Sequence, residues 1–361
     1  MNPTAANESS GLSRRNVLAL LAGTAGAAAL SAVPGCQTVP QGSSARDPRS
    51  RRLIRVAHMT DFHIQPERKA DEGVRMALDS IHAMSDKPDV IVTGGDLVMD
   101  SFDQQRPRTD QLWKLYTDAI REHCKIPVVH CLGNHDIWGW NKAKSKTTGT
   151  EMGWGKKNAI DLLGLPNSYY STMLPSRSGA SVKLIVLDSV QSDGGDGYVG
   201  GLDDAQFEWL KGELAATPST TTILAVTHVP VLHAATLLRD SEVPTKEIGW
   251  HIAAGETYLD SRRVVNLFQR YPNAKLVMSG HIHMHERLEY AGMTYINGGA
   301  VCGSWWRAET KLMQQREGDT PEALGAPSPR SLPGYSIIDV NADGPIVWEY
   351  RTYGWVNEPQ T

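Results

Sequence analysis

Five short apolar runs in this 361-residue chain are each followed by side chains of the kind that bind metal ions. The runs are rich in β-branched residues and are bounded by glycine or polar residues, which predicts buried β-strands. These predicted strands cover residues 53–59, 89–93, 126–132, 221–227 and 274–279. The polar residues that follow them are Asp61, His63, Asp96, Asn134, His135, His228, His281 and His283. Because the carboxyl ends of parallel strands meet at one edge of an α/β sheet, we expect these side chains to form one site.

The segments between the strands predict an alternating α/β arrangement. Apolar residues at helical spacing predict helices at residues 69–84 and 111–123, between the first three strands. Strand, helix, strand, helix, strand is the order of a βαβ sheet. Asp203 and Gln206 match the spacing of a capping box at the start of a later helix. Further helices are predicted at residues 156–163, 203–215 and 257–270, with paired strands at 168–173 and 182–187 and hairpins at 287–297 and 335–353.

The donor atoms of these residues limit the metals that such a site would bind. Carboxylate, amide and imidazole ligands without a thiol suit Fe, Mn or Zn, and also Co or Ni. Seven ligands from this set of eight residues are too many for one ion, but they fit two ions that share a carboxylate and lie roughly 3.5–4 Å apart. Glycines at positions 94, 95, 133 and 280 flank the ligands and permit tight turns beside a metal or a phosphate.

The order of these motifs resembles the calcineurin-like metallophosphoesterase family. The motifs are Asp61-Phe62-His63, Gly95-Asp96, Gly133-Asn134-His135-Asp136, His228 and Gly280-His281-Ile282-His283. The resemblance extends over residues 53–297, and residues 298–306 look like the C-terminal part of bacterial exported members. It implies an α/β fold of the calcineurin-like type, a four-layer α/β/β/α sandwich within a domain of residues 53–355.

The resemblance also implies a role for each motif residue. The ligands of one ion would be Asp61, His63 and His283, and those of the other Asn134, His228 and His281. Asp96 would bridge the two ions. A hydroxide between them would attack the phosphorus of a phosphate ester, because metal binding lowers the pKa of water to near 7. His135 would protonate the leaving oxygen or stabilise its charge, and Asp136 would orient His135.

The sequence constrains the substrate less than the reaction. We expect hydrolysis of a small-molecule phosphate ester, with diesters of the nucleotide or phospholipid type slightly favoured over monoesters. A non-catalytic metal-binding module on the same fold is the alternative. Each candidate substrate contact also has an ordinary interpretation as a packing or loop residue. These candidates are Trp138, Trp140, His233, Trp305 and Trp306.

The overall charge argues against one class of partner. The chain carries 36 basic and 40 acidic side chains, which gives a formal net charge of −4. Because no basic stripe of the kind that binds nucleic acid is evident, we expect no nucleic-acid partner. A small anionic substrate is compatible with this charge, since bound metal ions carry their own positive charge.

The N-terminal segment predicts export. Ser13-Arg14-Arg15 precedes an uncharged run, rich in Ala, Leu and Gly, that ends near Leu30. This pattern resembles a twin-arginine signal, so residues 1–36 would engage the twin-arginine export machinery and the mature protein would be periplasmic or extracytoplasmic. Cys36 would be a lipoprotein site that anchors the protein to a membrane; ordinary cleavage nearby and an uncleaved anchor are the alternatives. Residues 37–52 predict a polar linker.

Overall fold

The computed structural model describes residues 52–238, 252–307 and 330–356. The predicted signal peptide, nearly all of the predicted linker and part of the loop after His228 lie outside these described residues. None of the described helices combines the length and the hydropathy that a membrane-spanning helix requires. All described residues belong to one compact unit.

The first sheet is built from the two ends of the described chain. Its strands are β1 (Arg52–Met59), β2 (Val90–Thr93), β3 (Val128–Val129), β12 (Gly334–Asn341) and β13 (Val347–Thr352). They lie in the order β13-β12-β1-β2-β3. β1, β2 and β3 are parallel, whereas β12 is antiparallel to both of its neighbours. The carboxyl ends of the three parallel strands therefore lie at one edge of the sheet.

The second sheet comes from the middle of the chain. Its strands are β4 (Tyr170–Met173), β5 (Val182–Val186), β8 (Thr222–Val226), β9 (Ala274–Ser279), β10 (His285–Tyr290) and β11 (Met293–Gly298). They lie in the order β10-β11-β9-β8-β5-β4. The inner four strands are parallel, and each outer strand is antiparallel to its neighbour. A separate hairpin, β6 (Val190–Ser192) with β7 (Tyr198–Gly200), lies between β5 and β8 in the chain.

Helices cover the outer faces of both sheets. They are α1 (Ala70–His82), α2 (Arg106–His123), α3 (Lys142–Ser145), α4 (Lys157–Leu163), α5 (Asp204–Ala216) and α6 (Ser261–Phe268). Leu78 of α1 and Trp113 of α2 are buried together with residues of the first sheet. Leu210 of α5 and Phe268 of α6 are buried together with residues of the second sheet. Each sheet therefore has its own helical layer.

A third apolar cluster joins the two sheets to each other. Val56 and Val92 of the first sheet are buried with Leu184, Leu224 and Met278 of the second. Alternate side chains of a strand point to opposite faces, so the remaining ones face a helical layer. Full burial of each such side chain contributes about 1.5–3 kcal/mol. The described residues thus form a four-layer α/β/β/α sandwich, and the predicted fold class is confirmed.

Two helices begin at residues other than those predicted. α2 begins at Arg106 rather than near residue 111, since Pro107 lies in its first turn, where a proline needs no hydrogen-bond donor. α6 begins at Ser261 rather than near residue 257. The residues before it form turns instead, in which the N–H of Leu259 donates to the carbonyl of Gly200 at 2.9 Å.

The predicted capping box at α5 is only half formed. The side chain of Asp203 accepts a hydrogen bond from the N–H of Gln206, as predicted. The side chain of Gln206, however, bonds to the backbone N–H and carbonyl of Asp188 at 2.8 and 2.9 Å. Gln206 thus connects the helix to the end of β5 instead of closing the box. The hairpin of β6 and β7 was not predicted, because strands of three residues are too short to show a periodic pattern.

Candidate metal centre

The turns that follow β1 and β2 are hydrogen-bonded to each other. The N–H of Asp61 donates to the carbonyl of Gly95 at 3.0 Å, and the N–H of His63 donates to that of Asp96 at 3.0 Å. The turn after β9 joins them from the second sheet, since the N–H of His281 lies 2.9 and 3.1 Å from the carboxylate oxygens of Asp61. Strand ends of both sheets therefore meet at one edge of the sandwich.

Five of the predicted ligands have a left-handed backbone. The φ angles are 56° for Asp61, 43° for His63, 53° for Asp96, 74° for His281 and 56° for His283. Each such conformation costs roughly 1–3 kcal/mol and persists only where the surroundings enforce it. The hydrogen bonds between the turns provide that enforcement. Because backbone strain of this kind concentrates at functional sites, it supports the assignment of these turns to one site.

The first ligand group consists of Asp61, His63, His283 and one oxygen of Asp96. The Nε2 atoms of His63 and His283 are 3.0 Å apart, and Oδ1 of Asp61 is 3.2 Å from Nε2 of His283. Oδ2 of Asp96 is 3.4 Å from Nε2 of His63. Nδ1 of His283 lies 2.8 Å from the carbonyl of Gly303. It donates its hydrogen to that carbonyl, so the Nε2 lone pair faces the group.

The second ligand group consists of Asn134, His228, His281 and the same oxygen of Asp96. Nε2 of His228 is 3.0 Å from Oδ1 of Asn134 and 3.1 Å from Nδ1 of His281. It is also 3.2 Å from Oδ2 of Asp96. Nδ1 of His228 lies 2.7 Å from the carbonyl of Gly94, and donation to that carbonyl turns the Nε2 lone pair toward the group. Oδ2 of Asp96 therefore lies between the two groups.

Burial and neighbouring charges set the protonation states within these groups. Burial alone would raise the pKa of Asp96, but the nearby imidazole of His228 outweighs it and lowers that pKa. Burial opposes protonation of His228, yet the carboxylate of Asp96 raises its pKa to about 9. Burial lowers the pKa of both His63 and His281 to about 4. The ionised carboxylate of Asp96 therefore stabilises a proton on His228, while His63 and His281 are neutral. A position where a carboxylate stabilises positive charge is also favourable for a metal cation, which would replace that proton.

The donor atoms fit metal ions. Nitrogen lone pairs that face each other at 3.0 Å, as in His63 and His283, repel unless a proton or a cation lies between them. Three sets of described residues have ligand atoms close enough to hold an ion: His63 with His283 and Cys302, His63 with Asp96 and His135, and Asp96 with His228 and His281. Cys302 is also close, but its Sγ lies 3.8 Å from Nδ1 of His283, the nitrogen that faces away from the ligand group. Burial keeps the pKa of this thiol well above its ordinary value, so it is a poor ligand.

His135 lies beside the first ligand group, close enough to His63 and Asp96 to form a possible ion-holding set with them. Its N–H donates to Oδ1 of Asp96 at 2.9 Å, and its ring centroid is 4.7 Å from that of His63. Its Nδ1 is 3.9 Å from Oδ1 of Asp100, and both side chains are 21% exposed. Sequence reasoning misses Asp100, since it belongs to no recognisable motif. An imidazole in this position can exchange a proton with a molecule bound beside the two groups.

Asp136 has no hydrogen bond to the imidazole of His135 among the described residues, so its predicted role in orienting His135 stays a prediction. Its buried carboxylate accepts hydrogen bonds from the N–H groups of Leu97 at 2.8 Å, Val98 at 3.2 Å and Gly133 at 2.8 Å. Burial raises the pKa of Asp136 to about 7. The side chain therefore joins the turn after β2 to the turn after β3, and it holds together the backbone segments that carry the ligands.

Replacing Asp136 with alanine is expected to lower the free energy of unfolding by several kcal/mol. The substitution removes the acceptor of three N–H groups, and each buried group left without a partner costs about 1–3 kcal/mol. Urea denaturation followed by circular dichroism measures the change. Asp161→Ala, which removes an exposed carboxylate of α4, is the matched control. A loss no larger than that of the control would contradict this role of Asp136.

A cleft of about 120 Å³ opens onto the two ligand groups. The ligand residues that line it are Asp96, Asn134, His281 and His283. The other lining residues are His135, Tyr198, Glu256, Ile282, Trp305 and Arg330. Tyr198 comes from β7, Glu256 from the turn before α6, and Arg330 from the segment before β12. Sequence reasoning misses these three, because they lie in segments without a recognisable motif.

Trp305 covers the imidazoles of the first ligand group. Its ring centroid is 4.2 Å from that of His63, 4.7 Å from that of His283 and 5.3 Å from that of His135. Its φ angle is 58°, so its backbone is left-handed like that of the neighbouring ligands. Because Trp305 also lines the cleft, its predicted contact with a substrate stays a prediction that the geometry permits.

Two other tryptophans are buried packing residues, and a contact of either with a substrate stays a prediction. Trp306 is 2% exposed, and its Nε1 donates to the carbonyls of Phe62 at 2.9 Å and His63 at 3.1 Å. Trp138 is 4% exposed, and its Nε1 donates to the carbonyl of Gln104 at 3.1 Å. Both indole rings are buried and both indole N–H groups are hydrogen-bonded within the fold. This agrees with the alternative interpretation of these tryptophans as packing residues.

Trp140 and His233 do not line the cleft. The ring of Trp140 packs against Phe102 with centroids 6.1 Å apart, and the ammonium group of Lys156 lies 5.1 Å from its centroid. The imidazole of His233 is hydrogen-bonded to the hydroxyl of Thr236. A contact of either side chain with a substrate stays a prediction.

Comparison with known proteins identifies the family. A family model described as calcineurin-like phosphoesterase matches residues 54–285. This chain belongs to the calcineurin-like phosphoesterase family, and it is a hydrolase that acts on phosphoric ester bonds.

The relatives and solved structures agree with this assignment. A probable cyclic nucleotide phosphodiesterase of Rhodococcus erythropolis is 24% identical over 272 residues, 72% of this chain and 74% of the relative. The 3',5'-cyclic adenosine monophosphate phosphodiesterase CpdA of Escherichia coli is 21% identical over 86% of this chain and 92% of its own length. A dimetal phosphatase from Danio rerio superimposes with a TM-score of 0.53 at 13% identity, covering 84% of this chain and 97% of that chain. At that identity the structural likeness shows the fold alone.

Proposed function

We propose that this protein is a two-metal phosphodiesterase. The observation that carries the proposal is the position of Asp96, whose Oδ2 lies 3.4 Å from Nε2 of His63 and 3.2 Å from Nε2 of His228. One carboxylate oxygen within reach of two imidazole groups is the arrangement of a ligand that two ions share. The first ligand group would hold one ion and the second ligand group the other, with Fe, Mn or Zn favoured by these donors.

The protein would hold both ions in a prepared arrangement. When bound, the ions would supply Lewis-acid activation of the phosphoryl oxygens and of an attacking water. His283 and His228 would present their Nε2 lone pairs without rearrangement, since Nδ1 of each ring lies 2.8 or 2.7 Å from a backbone carbonyl. Such preorganisation is a large part of catalysis, because the groups need not reorient during the reaction.

His135 would transfer a proton to the leaving alcohol. Its backbone is fixed by the hydrogen bond from its N–H to Asp96, and its side chain lines the cleft. Nδ1 faces the carboxylate of Asp100 at 3.9 Å, which leaves Nε2 to act on a bound molecule. General acid catalysis by a positioned imidazole typically contributes roughly 100- to 10,000-fold to the rate.

Two charged residues that line the cleft, Glu256 and Arg330, bear on the choice between a diester and a monoester substrate. Glu256 adds a carboxylate to the lining, beside the second ligand group. A phosphate diester carries one negative charge, whereas a monoester carries roughly 1.5 to 2 near pH 7. Repulsion from Glu256 would penalise the monoester more than the diester, whereas attraction to Arg330, which lines the same cleft, would favour the monoester. The preference for a diester therefore rests on the relatives rather than on the charge of the lining.

The relatives suggest which diesters to test first. Both the Rhodococcus and the Escherichia relatives are described as phosphodiesterases of cyclic nucleotides. Trp305 offers an aromatic surface in the lining of the cleft, on which a nucleobase would stack. Nucleoside 3',5'-cyclic monophosphates are therefore the substrate class that these observations support best.

Metal content and hydrolysis, measured on the same preparation, test the proposal. We expect about two transition-metal ions per chain and chelator-sensitive hydrolysis of bis-p-nitrophenyl phosphate that is faster than that of p-nitrophenyl phosphate. Cyclic AMP and cyclic GMP should be hydrolysed by the same metal-loaded protein. Faster turnover of the monoester would overturn the diester preference. No hydrolysis after metal reconstitution would instead favour the non-catalytic metal-binding module.

A further inference from the structure

Glu256 lies beside the outer nitrogen of His281. Its Oε2 is 3.7 Å from Nε2 of His281, and its side chain is 21% exposed. Nδ1 of the same ring points into the second ligand group, 3.1 Å from Nε2 of His228. We infer that Glu256 is a positioning residue for His281 and that it strengthens the binding of an ion by the second ligand group. This inference rests on the proposed two-metal function.

The two nitrogens of His281 have different surroundings. If Nδ1 binds an ion, its lone pair faces that ion and the ring hydrogen is on Nε2. Nε2 is buried and has no hydrogen-bond partner among the described residues. A buried N–H without an acceptor is costly. The Glu256 carboxylate, at 3.7 Å, can accept that hydrogen after a small side-chain movement.

This carboxylate distinguishes His281 from two other predicted ligands, His228 and His283. The corresponding nitrogens of His228 and His283 face backbone carbonyls at 2.7 and 2.8 Å. A carboxylate is a stronger, charged acceptor, and it makes the imidazole a more basic ligand. Partners of this kind typically change metal affinity roughly 10- to 100-fold.

The turn that carries Glu256 is fixed to β7. The N–H of Gly200 donates to the carbonyl of Ala254 at 2.8 Å, and the N–H of Leu259 donates back to Gly200 at 2.9 Å. The absence of a side chain at Gly200 permits this approach, since a β-carbon there would lie 2.3 Å from the carbonyl oxygen of Thr257. The position of Glu256 is therefore set by backbone contacts on both sides.

The same turn is also connected to the strand that carries His228. The hydroxyl of Tyr258 lies 2.6 Å from that of Thr227, and both side chains are buried. Thr227 directly precedes His228 in the chain. Glu256 and the second ligand group are thus held in one hydrogen-bonded unit, which is the rigidity that a positioning residue needs.

Stepwise metal titration tests this inference. Competition with a chromogenic chelator would measure the affinities for the first and the second ion in the wild type, Glu256→Gln and Glu256→Ala. We expect one of the two affinities to fall roughly 10- to 100-fold in Glu256→Ala and less in Glu256→Gln, which keeps an uncharged acceptor. The other affinity should change by less than about twofold. The visible spectrum of the Co²⁺-loaded protein should change only in the bands of the ion whose affinity falls.

Two controls keep the outcomes distinct. Glu208→Gln removes an exposed carboxylate of α5 that is paired with Lys211, and it should leave both affinities unchanged. Thermal unfolding without added metal reports whether each variant is folded, and the Gln variant remains informative if the Ala variant is not. If both Glu256 variants bind two ions with wild-type affinities, the inference about Glu256 is overturned and the two-metal proposal is unaffected. A wild type that binds one ion would overturn the two-metal proposal together with this inference.

Discussion

Replacing Asp96 with alanine is expected to abolish phosphoester hydrolysis and to release bound metal. Its Oδ2 lies within 3.4 Å of imidazole nitrogens from both ligand groups, so the substitution affects both ions. The carboxylate charge also offsets the repulsion between two cations held roughly 3.5–4 Å apart. Metal analysis after gel filtration, together with hydrolysis of bis-p-nitrophenyl phosphate, measures both effects.

A second substitution at the same position separates ligation from folding. Alanine also removes the acceptor for the N–H of His135, which lies 2.9 Å from Oδ1 of Asp96. Asp96→Asn keeps an oxygen there but loses the charge, so it tests metal binding with the turn intact. Asp161→Ala on α4 should keep full activity and both ions. Wild-type metal content and turnover in Asp96→Asn would refute the bridging role.

Replacing His135 with alanine is expected to reduce turnover roughly 100- to 10,000-fold while both metal ions stay bound. The imidazole lines the cleft but belongs to neither ligand group, so its loss removes a proton donor without removing a ligand. Steady-state kinetics and metal analysis of the purified variant measure the two properties separately. His123→Ala, at the C-terminal end of α2, is the matched control. Full activity in His135→Ala would remove the assigned role.

Substrates with different leaving alcohols distinguish proton donation by His135 from a structural effect of its replacement. A weakly basic alcohol such as p-nitrophenol departs without a proton, whereas an alkyl alcohol needs one. The loss in His135→Ala should therefore be largest for alkyl diesters and smallest for p-nitrophenyl diesters. An equal loss across a series of leaving groups would show that His135 acts through the structure of the site.

Local patterns were sufficient to predict most of the strands that build the site. β9 coincides with its predicted range, β2 and β8 lie within theirs, and β1 begins one residue before its predicted range. Parallel strands buried on both faces are continuous apolar runs, which are visible in a single sequence. β3 has two residues where seven were predicted, since pairing with β2 extends only over Val128 and Val129. How far a strand pairs depends on its neighbour, which the local pattern does not contain.

Side chains that adjoin a motif were harder to interpret. Asp136 follows His135 directly, yet its carboxylate accepts from three backbone N–H groups. Trp305 and Trp306 are adjacent, yet one lines the cleft and the other is 2% exposed. Both have a φ angle of 58°, and this tight turn sends successive indoles to different environments. Sequence proximity therefore did not reveal which atoms each side chain contacts.

The sequence by itself determined the donor atoms of the site and their order at the ends of apolar strands, because both follow from residue type and local hydrophobic pattern. Only the tertiary structure decided that Oδ2 of Asp96 lies between two imidazole groups, at 3.4 and 3.2 Å. It also decided the left-handed backbone of five predicted ligands and the placement of Glu256 beside His281. These features depend on contacts between turns of two different sheets. Residues distant in the chain create such contacts, and no local pattern encodes them.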